Sequence, residues 1–161
     1  MGLSMHDTAT SRTKVERISD VDMVVQRTFD APARLVFQAW SDAALFRRWW
    51  VPASAPVRLR TCEMDVRTGG SYRLEFGADE GPVHAFFGRY VEVVPDAKIV
   101  WTNEESDDGA LTTVTFAETD GKTLVTYHDR HGSKESLDEA FEGMEGGIAE
   151  QFEQLAAVLA E

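Results

Sequence analysis

The sequence predicts an α+β fold in which one long helix covers an antiparallel sheet. Near the C-terminus, from Ser136 to Ala160, apolar residues recur at steps of three and four, so they share one face of a helix. From Val57 to Arg130 the chain instead alternates between apolar and polar residues in short runs that turn signals separate. An amphipathic helix that follows such a sheet buries its apolar face against it.

The N-terminal part predicts a leader, one strand and two short helices. Residues 1–20 are polar and lack apolar periodicity, which predicts a disordered leader, and residues 21–161 are predicted to form a single domain. Val21 to Phe29 alternates well enough for a first strand. Pro32 suits the first turn of a helix, because its missing N–H costs nothing there, and Asp42 caps a second short helix.

The remaining strands follow at short spacing and bring the predicted sheet to about seven strands. Turns are predicted at Gly69-Gly70, Pro95-Asp96 and Asp120-Gly121, and Gly88 predicts a bulge or bend within its strand. The connections are too short for crossover helices, so the sheet is predicted to be antiparallel. Ser136 and Glu139 have the spacing of a capping box at the start of the final helix.

Composition and charge exclude several classes of function. The net charge of −12 repels phosphate backbones, which argues against nucleic-acid binding. The single cysteine, Cys62, can form no internal disulfide, and neither a secretion signal nor a membrane span is visible. We therefore expect a soluble, cytoplasmic protein.

Five motifs in order resemble a known family. They are Arg27-Thr28-Phe29-Asp30-Ala31-Pro32, Val36-Phe37-Gln38-Ala39-Trp40, Arg48-Trp49-Trp50-Val51-Pro52, Asp65-Val66-Arg67-Thr68-Gly69-Gly70 and Gly143-Met144-Glu145-Gly146-Gly147. This set is similar to proteins that resemble the C-terminal domain of the activator of the heat-shock-protein-90 ATPase. That family belongs to the START and birch-pollen-allergen (SRPBCC) superfamily.

The resemblance implies the helix-grip fold, in which a curved antiparallel sheet grips the long C-terminal helix around a cavity for apolar or amphipathic ligands. The name of the family suggests a chaperone partner and a role in stress response, but the name is not taken as the function, because we expect no room in the chain for the activator's N-terminal chaperone-binding domain. Ile148 stands where many relatives have Trp, so we expect a larger cavity at that position.

The leading hypothesis is therefore a non-enzymatic protein that binds a small hydrophobic or amphipathic molecule, with neither metal nor cofactor. Apolar and aromatic residues of the sheet and helix are the candidates for the wall of the cavity. They are Trp50, Tyr72, Leu74, Phe76, Phe86, Trp101, Phe116, Phe141, Met144, Ile148 and Phe152.

An enzyme of the cyclase or hydrolase type on the same scaffold is the alternative, with Tyr127, His128 or Glu63 as the acid–base group. His128 and Asp129 are adjacent on a strand, so they point to opposite faces and cannot act in the same site. No set of residues has the spacing of metal ligands. We assign no catalytic residue from the sequence.

A protein-interaction domain is the third alternative. Six arginines between Arg47 and Arg73 form a basic region, whereas the C-terminal helix is acidic. Opposite charges of this kind speed association, so this region is a candidate docking face for a regulatory partner or for the helix of a second copy in a homodimer.

Overall fold

The computed structural model describes residues 13–55, 57–78, 80–104 and 109–161, and it describes only the backbone of residues 142–146. In this part of the chain, strands and helices follow one another in the order β1 (Lys14–Arg17), β2 (Asp22–Phe29), α1 (Ala33–Ser41), α2 (Ala43–Phe46), β3 (Arg58–Met64), β4 (Ser71–Gly77), β5 (His84–Val94), β6 (Lys98–Thr102), β7 (Leu111–Thr119), β8 (Lys122–Arg130) and α3 (Lys134–Leu159).

The strands form one sheet in the order β1-β2-β8-β7-β6-β5-β4-β3, and every neighbouring pair is antiparallel. The long helix α3 covers one face of this sheet, which we call the inner face, and α1 packs between α3 and strands β7 and β8. The prediction of an α+β, helix-grip architecture is confirmed. None of the helices in the described part of the chain is both long and apolar enough to span a membrane.

The sheet has one more strand than the sequence predicted. β1 lies within residues 1–20, so the prediction of a disordered leader is wrong for its residues, whereas residues 1–12 lie outside the described part. β1 pairs with the free edge of β2, Val15 packs against the core, and the Arg17 Nη1 lies 2.5 Å from Asp138 Oδ1 of α3. An edge strand needs only one inward apolar residue, and this is why no apolar periodicity announces β1.

α3 begins earlier than predicted. Ser133 is the N-cap, and its side chain accepts a hydrogen bond from the Ser136 backbone N–H at 3.1 Å. Ser136 was predicted as the cap, but it lies within the first turn, and its hydroxyl contacts His131 instead. At the other end of α3, Gln154 Nε2 donates to the carbonyl oxygens of Trp49 and Val51 at 3.1 Å and 2.9 Å. These bonds hold the segment after α2 against the helix.

Two features of β5 bend the sheet around α3. A bulge interrupts its pairing with β6 between Tyr90 and Glu92, within the strand where the sequence predicted one. At Gly88, a Cβ atom would lie 2.0 Å from the carbonyl oxygen of Thr102, so only glycine fits where the two backbones approach. The bend leaves space between β4–β6 and the helices.

Candidate ligand cavity

A cavity of about 370 Å³ lies between the sheet and the helices. Strands β4, β5, β6 and β8 contribute to its wall, as do Trp40 of α1, Phe46 of α2 and Ala140 of α3. Most of the wall is apolar or aromatic. The strands supply inward-facing side chains at every second position, because successive side chains of a strand point to opposite faces.

The structure brings together six of the residues predicted to bind a ligand. These residues line the cavity: Trp50, Tyr72, Leu74, Phe76, Phe86 and Trp101. Four others lie outside the described wall, because Phe116, Ile148 and Phe152 are buried in the core and Phe141 packs against it. The side chain of Met144 lies outside the described residues.

Ile148 differs from what the sequence led us to expect. Its side chain is 1% exposed, belongs to the same core cluster as Phe152 and Leu155, and does not line the cavity. The expectation that a residue smaller than Trp enlarges the cavity here is therefore not supported. Ile148 instead belongs to the hydrophobic core.

Trp40 joins the packed core to the cavity. Its ring centroid lies 4.6 Å from that of Trp49, 6.1 Å from that of Trp101 and 6.2 Å from that of Tyr127. Phe46 and Trp50 stack at 4.7 Å. Trp40 and Phe46 were not among the residues predicted from the sequence to bind a ligand, yet both are buried and also line the cavity.

One end of the cavity is polar. We call the residues there the polar cluster, and they are Asn103, Thr112, Tyr127, Asp129, His131 and Ser136; all but Thr112 line the cavity. The Thr112 hydroxyl donates to Asp129 Oδ1 at 2.5 Å, and the Asn103 side-chain amide donates to Thr112 Oγ1 at 3.1 Å. His131 Nδ1 lies 2.9 Å from the Ser136 hydroxyl oxygen. A network of hydrogen bonds therefore fixes these side chains.

Burial dominates the protonation of the polar cluster. Asp129 is 4% exposed, and desolvation raises the pKa of its carboxyl group, although hydrogen bonds from Thr112 and Tyr127 and the nearby His131 oppose this change. Burial also raises the pKa of Tyr127 well above its ordinary value. Tyr127 therefore stays a neutral phenol, and Asp129 is a carboxyl group in a site that penalises its charge.

Of the acid–base candidates predicted from sequence, only Tyr127 lines the cavity. Glu63 is exposed, and His128 lies on the outer face, where its Nε2 is 2.8 Å from Asp22 Oδ1. His128 and Asp129 do point to opposite faces, as expected. Cys62 is half-buried, and desolvation raises the pKa of its thiol, which does not favour a nucleophile.

The sequence did contain a signal for the polar cluster. Tyr127, Asp129 and His131 occupy alternate positions, so they share one face as long as the chain stays extended. The adjacent residue His128 lies on the opposite face, so the adjacent pair His128 and Asp129 does not indicate this cluster. Within the described part of the chain, no group of three His, Cys, Asp or Glu side chains is arranged to hold a metal ion.

The arginines of the predicted basic region are largely engaged within the chain. Arg67 and Arg73 pair with Asp65 and Glu75, each at 2.9 Å, and Arg48 pairs with Glu161. Arg47 and Arg60 donate to backbone carbonyl oxygens. These contacts weaken the argument for a docking face there.

Comparison with known proteins agrees with the fold. The model of the family described as "Activator of Hsp90 ATPase homolog 1-like protein" matches residues 30–160. The chain belongs to this family. Since the match includes α1, α2, the strands from β3 to β8 and α3, the family accounts for every element that lines the cavity.

Solved structures share the fold of this family member. A Rhodobacter sphaeroides protein has 19% sequence identity and a TM-score of 0.83, with 92% of this chain and 97% of that chain covered. A Chromobacterium violaceum protein, CV1439, has 29% identity and a TM-score of 0.75, with 87% and 98% covered. No curated protein matches the chain.

Proposed function

We propose that this protein binds a small hydrophobic or amphipathic molecule in the cavity between the sheet and α3. The observation that carries the proposal is the cavity itself, whose volume of about 370 Å³ is enclosed mainly by apolar and aromatic side chains. Sites for small molecules usually measure roughly 300–1,000 Å³ and have such walls. Membership of a family known for ligand-binding scaffolds supports the same function.

The free protein leaves part of the apolar wall of the cavity uncovered. Phe86 is 42% exposed although it lines the cavity, and its ring lies 5.2 Å from that of Phe76. An apolar ligand that covers these rings gains roughly 25 cal/mol for each Å² removed from water. The wall near β4 and β5 is thus the part that we expect to hold the apolar body of the ligand.

Native mass spectrometry and thermal-shift measurements with aromatic compounds and medium-chain fatty alcohols test the proposal. Leu74 lines the cavity and is buried, so Leu74→Trp should fill part of the space and weaken every ligand that binds. Leu124→Trp is the matched control, because Leu124 is 37% exposed and lies outside the cavity wall.

The expected result is binding by the wild type and by Leu124→Trp, with affinity at least about tenfold lower in Leu74→Trp. If none of the compounds binds the wild type, the proposal is wrong. It is equally wrong if the ligands bind Leu74→Trp and wild type alike, since they would then occupy another place.

A second candidate function, an enzyme of the cyclase or hydrolase type, is favoured by one observation. Asp129 faces the cavity, is hydrogen-bonded to Thr112, and burial shifts its pKa upward, in the direction that a general acid needs. To test this candidate, compounds that bind are incubated with the protein, recovered and analysed for chemical conversion. Conversion by the wild type that Asp129→Asn abolishes would favour the enzyme, and unchanged compounds would favour the binding protein.

A chaperone partner, a homodimer, a cytoplasmic location and a role in stress response stay predictions from the sequence and its resemblance. Size-exclusion chromatography at low and high salt tests the homodimer, because a contact between α3 and the basic region would weaken with ionic strength.

A further inference from the structure

Two side-chain nitrogen atoms of residues that line the cavity have no hydrogen-bond partner within the described structure. They are Trp40 Nε1 and His131 Nε2, and both atoms are buried. Buried polar groups in native proteins are nearly always paired, and each exception calls for an explanation. A third such atom, Arg27 Nε, belongs to a residue that does not line the cavity.

The neighbouring polar groups are already engaged, which singles out these two nitrogens. Tyr72 donates to the carbonyl oxygen of Thr102 at 2.7 Å, and the Asn103 side-chain amide donates to the carbonyl oxygen of Ala110 at 2.8 Å and to Thr112. His131 is held through its other ring nitrogen by Ser136. The unpaired Nε2 therefore belongs to a ring whose position is fixed.

Trp40 belongs to the same end of the cavity. Its ring centroid lies 6.2 Å from that of Tyr127, and the Tyr127 hydroxyl is hydrogen-bonded to the Asp129 carboxyl group. The ring of Trp101 lies 6.2 Å from Tyr127 and 6.1 Å from Trp40. The two residues that carry the unpaired nitrogens thus lie where the aromatic wall meets the polar cluster.

The chemistry of these groups restricts the ligand. An indole N–H can only donate, so Trp40 needs a ligand atom that accepts, and an ammonium group does not accept. This end of the cavity is buried and penalises charge, which disfavours an anionic ligand group, and the net charge of −12 also disfavours anions. A neutral oxygen that carries a proton satisfies both conditions, since it accepts from Trp40 and donates to Asp129 or to His131.

We propose that the polar end of the cavity binds the hydroxyl group of an aromatic alcohol or phenol, whose ring lies against the aromatic wall, with Trp40 and His131 as the residues that recognise the hydroxyl. This inference rests on the proposed ligand-binding function and adds the chemical class of the ligand. The burial of this end of the cavity is what excludes carboxylates, because their charge would have to leave water.

Isothermal titration of the full chain with three probes tests the inference: naphthalene, 2-naphthol and 2-naphthoate. One satisfied hydrogen bond is worth about a factor of ten, so 2-naphthol should bind the wild type about tenfold more tightly than naphthalene. 2-Naphthoate should bind more weakly than 2-naphthol, because its charge must leave water to enter a buried site.

His131→Phe should remove most of this tenfold preference while naphthalene affinity is retained. His128→Phe is the matched control, because His128 lies three residues away, near the end of β8 but on the outer face, and it should keep the full preference. Trp40→Phe provides a second variant that removes the other nitrogen and keeps an aromatic ring. Circular dichroism verifies that each variant is folded.

The outcomes separate this inference from the proposed function. If naphthalene and 2-naphthol bind the wild type equally, or if 2-naphthoate binds more tightly than 2-naphthol, the inference is overturned and ligand binding stands. A preference for 2-naphthol that survives in both His131→Phe and Trp40→Phe also overturns the inference. If no probe binds, both the inference and the proposed function fail.

Discussion

The two faces of the sheet at the end of β8 hold similar side chains in opposite situations. On the outer face, Asp22 accepts a hydrogen bond from Ser19 at 2.7 Å and pairs with His128 and Arg130 at 2.8 Å and 3.3 Å. On the inner face, Asp129 has Thr112 and Tyr127 as partners, and within the described residues it forms no ion pair.

The difference also appears in the protonation of the two carboxyl groups. The Ser19 hydrogen bond, followed by those of His128 and the charge of Arg130, lowers the pKa of Asp22, whereas burial raises the pKa of Asp129. On the outer face, Asp22 has all its partners within the chain, and this cluster is accounted for by its contribution to stability. On the inner face, Asp129 and His131 line a cavity, and a His131 nitrogen has no partner. Both faces hold an aspartate and a histidine, so residue type alone does not reveal a ligand site.

The largest effect is expected where the inner face is packed rather than hollow. Ile148→Trp should lower the free energy of unfolding by about 1–3 kcal/mol, the usual cost of overpacking, because Ile148 is fully buried beside the helix core. Urea denaturation measures this loss. Unchanged stability together with weaker ligand binding would contradict this prediction. It would show that the cavity extends to Ile148 and that the core is not closely packed at this residue.

Removal of the outer carboxylate should cost nearly as much. Asp22→Ala leaves Ser19, His128 and Arg130 without their common partner, and the loss of a mostly buried hydrogen-bonded group costs about 1–3 kcal/mol. Asp20→Ala, at an exposed neighbouring position, is the control and should change stability little. Ligand affinity should be unchanged in both variants, and a change in Asp22→Ala would mean that the two faces are coupled.

Local patterns in the sequence account for most of the fold. Alternation of apolar and polar residues predicted the strands, Gly88 predicted the bend of β5, and the apolar stripe predicted α3. These patterns are visible in the sequence because a half-buried strand or helix must place its apolar residues on one face. β1 was not predicted, because a strand of four residues with one apolar side chain shows no periodicity. Its stability comes from pairing with β2, which the local sequence does not contain.

The site was only partly predictable for a different reason. A large inward side chain packs in a core or lines a cavity according to where α3 crosses the sheet, and periodicity is the same in both cases. Phe76 and Phe116 illustrate this, because both face inward, yet only Phe76 lines the cavity. The polar cluster was within reach through the alternation of Tyr127, Asp129 and His131, but its unpaired nitrogen depends on tertiary contacts.

The pH dependence of stability should have opposite signs for the two aspartates. Asp129 holds its proton more tightly in the folded state, so its contribution is full below its ordinary pKa of 3.8 and is lost as the pH rises through its raised value. Relative to Asp129→Asn, the wild type should therefore lose stability as the pH rises above 3.8.

Asp22 supplies the matched measurement. Its pKa is lowered on folding, so its contribution is present above 3.8 and is lost as the pH falls through the lowered value. Relative to Asp22→Asn, the wild type should lose stability as the pH falls. Urea denaturation at a series of pH values measures both differences, and slopes of the same sign would contradict the contrast between the two faces.

The smallest effect is expected for the outer histidine. His128→Gln removes one partner of Asp22, but Ser19 and Arg130 remain, and the His128 side chain is 35% exposed. Exposed or partly exposed ion pairs contribute about 0.2–1 kcal/mol, so the free energy of unfolding should fall by less than about 1 kcal/mol. Urea denaturation of His128→Gln beside Asp22→Ala measures the ratio of the two losses. Equal losses would mean that His128 is the main partner of Asp22 and that Arg130 is dispensable. The smaller loss expected here means that Ser19, His128 and Arg130 share Asp22 as their common partner.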